Sequence, residues 1–414
     1  RRLVRGEHTR CALVAGAAGV LAFTLLVGIA SGAPRRTQLT TITLDTLPIA
    51  NALPMDLGIS KGFFSQRGIE IKKQTLQSGN DIVLALANHN GDVGYLGYVP
   101  MMIARTTGIP LTLVAASEVE GTNATDNWQD ILVKGSSSIR SPADLAGKTI
   151  AANALKGVGE VVIKAALQKA GVDPSSIKLV AIPFPSMRTA LNNGQVDAIW
   201  TPEPFLSQAV NIDGDRIVMA PGPTLGNFFP NGGYAALNDW MKANPTTAKN
   251  FRLAMNESLQ YAQTHPDEIR ALPGGNVPHL PVWSPSIDRV QLLQLAKYAK
   301  QYGVITSLPN FTQLFPSDIR TGFASGLLEA SVGKAATIKQ AGKLATRLDP
   351  GSYILIVKDT SSTAGFTVTG AGVTKSTGIK AKGTFRFTVK LSSGKYKWSA
   401  TGKAKGRGTF VVTK

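Results

Sequence analysis

ALANHNGDVGYLGYVP (residues 85–100) and ALNNGQVDAIWTPEPF (residues 190–205) begin 105 residues apart and follow one plan. In each, Ala-Leu belongs to the end of an amphipathic helix and an Asn/Gly turn follows. An Asp seven residues after the Ala, Asp92 or Asp197, then opens a short apolar strand. The strand runs into a loop of Gly, Pro and aromatic residues, so one βαβ edge is built twice. In an open α/β sheet, ligands bind beyond the carboxyl ends of strands. The loops GYLGYVP (94–100) and WTPEPF (200–205) therefore read as facing walls of a cleft between two lobes.

The chain has 414 residues, of which 43% are hydrophobic and 17% charged, enough for two or three domains with sizeable cores. Its net charge of +18 is unevenly spread. Residues 1–39 carry +5, residues 40–320 carry none, and residues 321–414 carry +13. The large central region thus offers no basic footprint for nucleic acid, and the tail lacks a nucleic-acid-binding motif. Residues 11–33 (CALVAGAAGVLAFTLLVGIASGA) are uncharged and follow Arg1, Arg2, Arg5 and Arg10, the pattern of an export signal or a membrane anchor. Ser31-Gly32-Ala33 suits a signal peptidase, whereas Pro34 and the length of the run suit retention. Cys11, the only cysteine, excludes an intrachain disulfide and a cysteine-based metal site.

Along the central region, Thr41–Leu44 and Ile69–Gln74 read as strands around a helix, and Asn51-Ala52-Leu53-Pro54 places backbone donors at that helix's start. IPLTLVAASEVE (109–120) is a buried strand leading out of the first lobe, and Ile131–Val133 begins another. Pro142–Ala152 reads as a short helix, a turn and a strand. Leu155-Lys156-Gly157-Val158-Gly159-Glu160 then opens a helix to about Lys169. This Gly-rich turn exposes backbone N–H groups to a ligand, but it is neither GxGxxG nor a P-loop.

Several motifs, in this order, resemble the solute-binding proteins of ABC importers for nitrate, sulfonates and taurine, a family that includes binders of thiamine pyrimidine precursors. They are Leu57–Phe64 (LGISKGFF), Gly68–Ile71, Asp92-Val93-Gly94, Ser141–Lys148 (SPADLAGK), Ala170–Pro174, and Gly194–Ala198 with Glu203-Pro204-Phe205. The resemblance covers residues 40 to about 320. It implies an α/β, two-lobed type II periplasmic-binding-protein fold that closes on its ligand about a hinge. Lobe one would be 40–118 plus 222–320, lobe two 120–220, with hinges near Ser117–Glu120 and Met219–Pro223. Carried over, the cleft is lined by Leu47, Pro48 and Asn51, by Tyr95, Gly97 and Tyr98, by Leu155, Lys156, Gly157, Val158 and Gly159, and by Trp200, Thr201 and Glu203.

The aromatics could stack on a flat ligand and the hydroxyls and N–H groups could meet an anion. Glu203 favours an amino-bearing ligand, such as taurine or an aminopyrimidine, unless it caps the next helix or pairs with Lys156. Enzymes of this fold that make pyrimidines depend on a Cys-rich segment and histidines. Here Cys11 lies in the leader and His8, His89, His265 and His279 form no ligand pair, so the expectation is binding without catalysis and without a cofactor. The implied partners are a small-molecule ligand and an ABC permease, and the implied location is extracytoplasmic.

From about residue 343 the pattern changes to short alternating runs between Gly/Ser/Asp turns, about seven strands of a small all-β sandwich. Through Asp349–Tyr353, Phe366–Gly370 and Gly406–Phe410 it resembles cupredoxin-like modules. Ala364 or Thr367, Ala400 and Lys403 stand where copper ligands are expected, which sets copper aside. The excess of Lys and Arg suits either contact with anionic envelope polymers or a solvated surface. Residues 321–342 read as a connection, helix first and then linker.

Overall fold

The computed structural model describes residues 39–121, 127–226, 228–315, 327–333, 335–340, 343–348, 351–380 and 382–413. The apolar stretch 11–33 lies outside them. Lobe one holds β1 (Thr40–Thr46), β2 (Ile69–Thr75), β3 (Val93–Gly97), β4 (Leu111–Ala116) and, returning late in the chain, β11 (Gly232–Leu237). Their order is β2-β1-β3-β11-β4, with β11 antiparallel to both neighbours. After β5 (Glu118–Val119), lobe two holds β6 (Gln129–Val133), β7 (Thr149–Ala152), β8 (Lys178–Ala181), β9 (Ala198–Pro202) and β10 (Arg216–Met219), in the order β10-β6-β9-β7-β8. The helices are α1 (Leu53–Ser60), α2 (Gly79–Ala87), α3 (Tyr98–Thr106), α4 (Val158–Lys169), α5 (Phe184–Asn192), α6 (Phe205–Asp213) and α7 (Pro221–Leu225). They continue with α8 (Asn238–Ala243), α9 (Pro245–Thr264), α10 (Pro266–Arg270), α11 (Arg289–Gln301) and α12 (Phe311–Leu314).

The two repeated stretches form α2–β3 and α5–β9. Local chemistry sets both helices. Ser78 caps α2 by accepting from Asp81 N at 3.2 Å, and Ile82, Val83 and Leu86 bury one face. Proline near its start opens α5, which buries Phe184, Met187, Ala190 and Leu191. The repeated aspartates do identical work. Asp92 Oδ2 accepts from Thr43 N at 2.7 Å while its own N–H donates to Thr43 O at 2.9 Å. Asp197 Oδ2 accepts from Thr149 N at 2.8 Å and its N–H donates to Thr149 O at 2.9 Å. Each clamps the start of a lobe's cleft-bearing strand to its neighbour, β1 or β7.

Lobe two extends further than expected from the sequence. It was placed at 120–220, but α7 packs against α4 of lobe two, so the chain returns to lobe one only after Leu225. Apolar contact outweighs the Gly/Pro breaker signals of PGP (221–223) there. At the hinge, β5 pairs antiparallel with β12 (Val282–Trp283), and α11 packs against both α3 and α4.

The tail forms two five-stranded sheets. One runs β15-β14-β13-β17-β20 and the other β16-β22-β21-β18-β19. The first contains β13 (Leu327–Val332), β14 (Ala336–Gln340), β15 (Lys343–Leu344), β17 (Gly351–Asp359) and β20 (Gly383–Leu391). The second contains β16 (Arg347–Leu348), β18 (Ala364–Gly370), β19 (Val373–Ser376), β21 (Gly394–Gly402) and β22 (Arg407–Val412). The expected connection at 321–342 is therefore corrected, because β13 and β14 lie within it. Their short Ala/Ser/Lys-bearing runs carry little signal alone, and β13 is held by parallel pairing with β17 along six residues. The sandwich has its own core, including Leu355, Val357, Phe366, Tyr396 and Phe410. Ile356 points the other way and packs with Val119 of β5, Val282 of β12 and Phe228. The sandwich thus rests on the hinge.

Candidate binding site

Between the lobes lies a cavity of ≈ 40 Å³, lined by Leu47, Ile49, Gly79, Asn80, Tyr95, Gly97, Pro100, Gln129, Asn153, Ala154, Gly157, Val158, Phe184, Trp200 and Asn231. The lobes meet around it. Asn80 Nδ2 donates to Leu155 O at 3.1 Å, and Ala50 N donates to Glu203 O at 3.0 Å. A Cβ on Gly97 of lobe one would stand 2.3 Å from Val158 Cγ2 of lobe two. This is a closed cleft. A larger hollow of ≈ 620 Å³ lies between α9, α10 and β20 of the sandwich. Lobe two contributes nothing to its wall, so lobe closure cannot bury a ligand there.

All four segments expected to line the cleft reach it, through Leu47, Tyr95, Gly97, Gly157, Val158 and Trp200. The other expected residues have different places. Pro48 is half-buried beside the wall. Asn51 is buried behind it, near Tyr95 and Glu118, and its carbonyl accepts from Trp283 Nε1 at 3.2 Å. Tyr98 starts α3 and turns into the lobe-one core. Leu155 is exposed and contributes only its carbonyl, while the exposed Lys156 donates its N–H to Glu160 at 2.7 Å. Gly159 acts indirectly, since a Cβ there would lie 2.7 Å from the Trp200 ring. Its bare backbone lets the indole lie against α4.

Thr201 is fully buried, and its hydroxyl has no partner among the described residues. Glu203 neither lines the cavity nor pairs with Lys156. It accepts from Ser207 N at 3.0 Å and Ser207 Oγ at 2.6 Å, closing the first turn of α6.

Of the residues overlooked, chiefly Asn80, Gln129, Asn153, Phe184 and Asn231, those at helix starts and strand ends (Asn80, Asn153, Phe184) follow a rule present in the sequence. Gly79 and Phe184 open α2 and α5 at the same 105-residue offset, Tyr95 and Trp200 follow the repeated aspartates by three, and Leu47 and Asn153 follow β1 and β7. Each lobe supplies the same three elements. Gln129 opens β6 and Asn231 directly precedes β11, and both donate to Glu120 Oε1, at 3.0 and 2.8 Å.

No Lys, Arg, His, Asp or Glu lines the cavity. Helix starts cluster on it instead, because the first residues of α2 and α5 and the N-caps of α3 and α4 (Gly97, Gly157) all stand on the wall, and helix N-termini favour negative charge. The buried Trp200 Nε1–H has no partner among the described residues. Behind the wall, Tyr95 donates to Glu118 Oε1 at 2.7 Å, and one oxygen each of Glu118, Glu120 and Asp130 lacks a partner among the described residues. Burial pushes these acids up: Glu118 rises, Glu120 and Asp130 reach about 8, and Glu203 about 7. Near neutral pH, Glu120 and Asp130 are thus mostly uncharged, which weakens their repulsion of an anion at the wall.

Two α/β lobes joined by crossovers and closed on a small uncharged cavity define a periplasmic-type solute-binding protein. The chain belongs to the NMT1/THI5-like family, whose profile matches residues 50–269. It is similar to the taurine-binding periplasmic protein of Escherichia coli K12, 23% identical over 302 residues, covering 70% of this chain and 84% of that protein. It is also 23% identical over 247 residues to the nitrate/nitrite binding protein NrtA of Nostoc, spanning just over half of each chain, 56%. Among solved structures, the alkanesulfonate-binding protein SsuA of Xanthomonas axonopodis pv. citri, bound to MOPS, shares the fold with a TM-score of 0.54 at 20% identity. That match covers 66% of this chain and 96% of SsuA.

Proposed function

We propose that the protein captures a small oxyanion, of the sulfonate/taurine or nitrate type, between its lobes and delivers it to an ABC permease outside the cytoplasm. The observation that carries this is the convergence of four helix starts on one small cavity whose wall, Trp200 included, bears no charged side chain. Such a wall binds an anion through N–H dipoles, and lobe closure supplies half the contacts from each side. The neighbourhood of taurine-, nitrate- and alkanesulfonate-binding relatives supports the same class. Capture without turnover is the matching activity, as in the binding proteins it resembles. Residues 11–33 would take the chain across the membrane, as a cleaved signal or a retained anchor.

The carboxyls of Glu118 and Glu120, joined from behind the wall to the lining residues Tyr95, Gln129 and Asn231, favour a second reading within this site, a ligand that also carries an amino group, as taurine or an aminopyrimidine does. A thermal-shift titration with taurine, ethanesulfonate, nitrate and an aminopyrimidine separates them, since a ligand at 100 times its Kd adds about 2.7 kcal/mol. Stabilisation by ethanesulfonate and taurine supports the oxyanion reading, and by taurine alone the aminosulfonate. A response only to the aminopyrimidine would refute the oxyanion.

A further inference from the structure

The sandwich has two outer faces with different fates. The sheet containing β17 turns Ile356 into the hinge of the solute-binding domain, so the opposite sheet, β16-β22-β21-β18-β19, turns its outer face to solvent. Strand register places the residues of that face. Phe366, Val368, Tyr396 and Phe410 point into the sandwich core, so their neighbours point out. Across the strands, Arg347 pairs with Val411 and Val411 with Lys395. The next row is Thr409, Lys397, Thr369 and Thr374, and the one after it Arg407, Ser399, Thr367 and Ser376. The result is a flat grid of four cations among hydroxyls, with neighbouring strands about 4.8 Å apart and same-face residues about 7 Å apart along each strand.

Nothing on the sheet offsets the charge. None of its five strands contains Asp or Glu, and none of the four cations forms an ion pair among the described residues. Arg347 Nε instead donates to Thr413 Oγ1 at 2.8 Å, and Thr367 and Ser376 share a hydrogen bond of 2.9 Å. A solubilising surface normally intersperses both signs, and this one does not. A membrane-binding face would add aromatic or long aliphatic side chains, whereas the apolar side chain in the grid is Val411, 39% exposed.

We infer that this sheet face docks the chain on an anionic, hydroxyl-rich glycopolymer, the cations meeting carboxylate or phosphate groups and the Ser/Thr ladder meeting polyol hydroxyls. The sandwich then holds the protein near the envelope by many weak contacts while its other sheet stays on the hinge. This inference is independent of the ligand in the cleft.

The test uses the full chain with immobilised polygalacturonate, a glycerol-phosphate teichoic polymer, neutral dextran, and phosphatidylglycerol/phosphatidylcholine vesicles at 0.15 M salt. The face variant is Arg347→Gln, Lys395→Gln, Lys397→Gln, Arg407→Gln. The control variant, Lys72→Gln, Lys178→Gln, Lys297→Gln, Lys300→Gln, loses the same charge from exposed positions on the two lobes. The expected result is binding to at least one polyanion but not to dextran or vesicles, at least tenfold weaker in the face variant and within twofold of wild type in the control. The tighter of the two polymers identifies carboxylate or phosphate as the group read. The double variant Lys395→Gln, Lys397→Gln, with an intermediate loss, guards against misfolding of the fourfold one. No binding to either polyanion, binding to dextran, preference for vesicles, or equal losses in face and control variants would overturn the inference.

Discussion

Gly97→Ala tests whether the closed arrangement of the lobes is the binding state. Gly97 has φ −66° and ψ 156°, a conformation any residue adopts, so the added methyl brings no backbone strain to lobe one. Its obstacle lies across the cleft, where Val158 Cγ2 would be 2.3 Å away. Ordinary contact requires the two carbons to separate by at least about 1 Å more. Val158 opens α4 and its β-branched side chain has few rotamers, so the lobes must yield instead. Overpacking of this size costs about 1–3 kcal/mol. That cost exists only when the lobes are shut, so the closed-to-open ratio and the apparent affinity fall together, roughly 5- to 150-fold.

Val158→Ala removes the obstructing carbon, and the double variant should recover to within a fewfold of Val158→Ala alone. Calorimetric titration with taurine and ethanesulfonate reads the affinities, and small-angle scattering of the ligand-free protein reads lobe separation. Unfolding of Gly97→Ala should move by less than about 0.5 kcal/mol, as for a surface change. Unchanged affinity in Gly97→Ala, or a double variant as weak as the single, would refute the argument that this contact forms in the bound state.

Three further outcomes follow from the same geometry. Trp200→Ala removes a buried indole from the wall, so affinity for an oxyanion should drop by about 1–3 kcal/mol in calorimetry; retained affinity would place the ligand elsewhere. Burial raises Glu120 from 4.5 to about 8, so the folded protein holds a proton that the unfolded chain releases, and stability falls as pH rises from about 4.5 to 8. Glu120→Gln keeps an acceptor for Gln129 and Asn231 and should flatten that fall, gaining on the order of a few kcal/mol over wild type at pH 9 but little at pH 4.5; parallel urea curves at both pH values would contradict it. Ile356→Asp puts a carboxylate into the apolar patch of Val119, Phe228 and Val282 and should cost about 1–3 kcal/mol in denaturant unfolding, whereas a wild-type curve would show that docking on the hinge contributes nothing.

How far the cleft could be read from the sequence depended on which residues repeat. The Asp92/Asp197 pattern identified two βαβ edges, and the clamp geometry at Thr43 and Thr149 explains why an aspartate is needed at both. The same offset, applied to helix starts, leads to Gly79 and Phe184 on the cavity wall. Residues outside the repeat resisted such reading. Gln129 at the start of β6 and Asn231 just before β11 meet only because both reach Glu120, a long-range convergence with no local signal. Glu203 stands in a wall segment, yet its side chain closes the first turn of α6, where Ser207 four residues on donates to both its oxygens. The tail's boundary failed for a related reason, since β13 is specified by pairing with β17 and not by its own pattern.

The buried acids turn this geometry into a specificity argument. An anion site built from helix starts could also be built with Lys or Arg on its wall, and that would bind any anion strongly at any pH. Here the wall is neutral and four raised carboxyls, Glu118, Glu120, Asp130 and Glu203, lie near or behind it. Protonated, they leave room for an oxyanion. Ionised, they repel one but welcome an ammonium. A plain sulfonate should therefore lose affinity as pH rises past about 8, the value reached by Glu120 and Asp130, while a ligand bearing its own ammonium should resist that loss as long as the amine stays charged. Comparing ethanesulfonate with taurine across this range by calorimetry isolates the acids' effect, because the two share a sulfonate and a two-carbon chain. Parallel pH profiles for the two would mean that the carboxyls serve only the hinge and take no part in choosing the ligand.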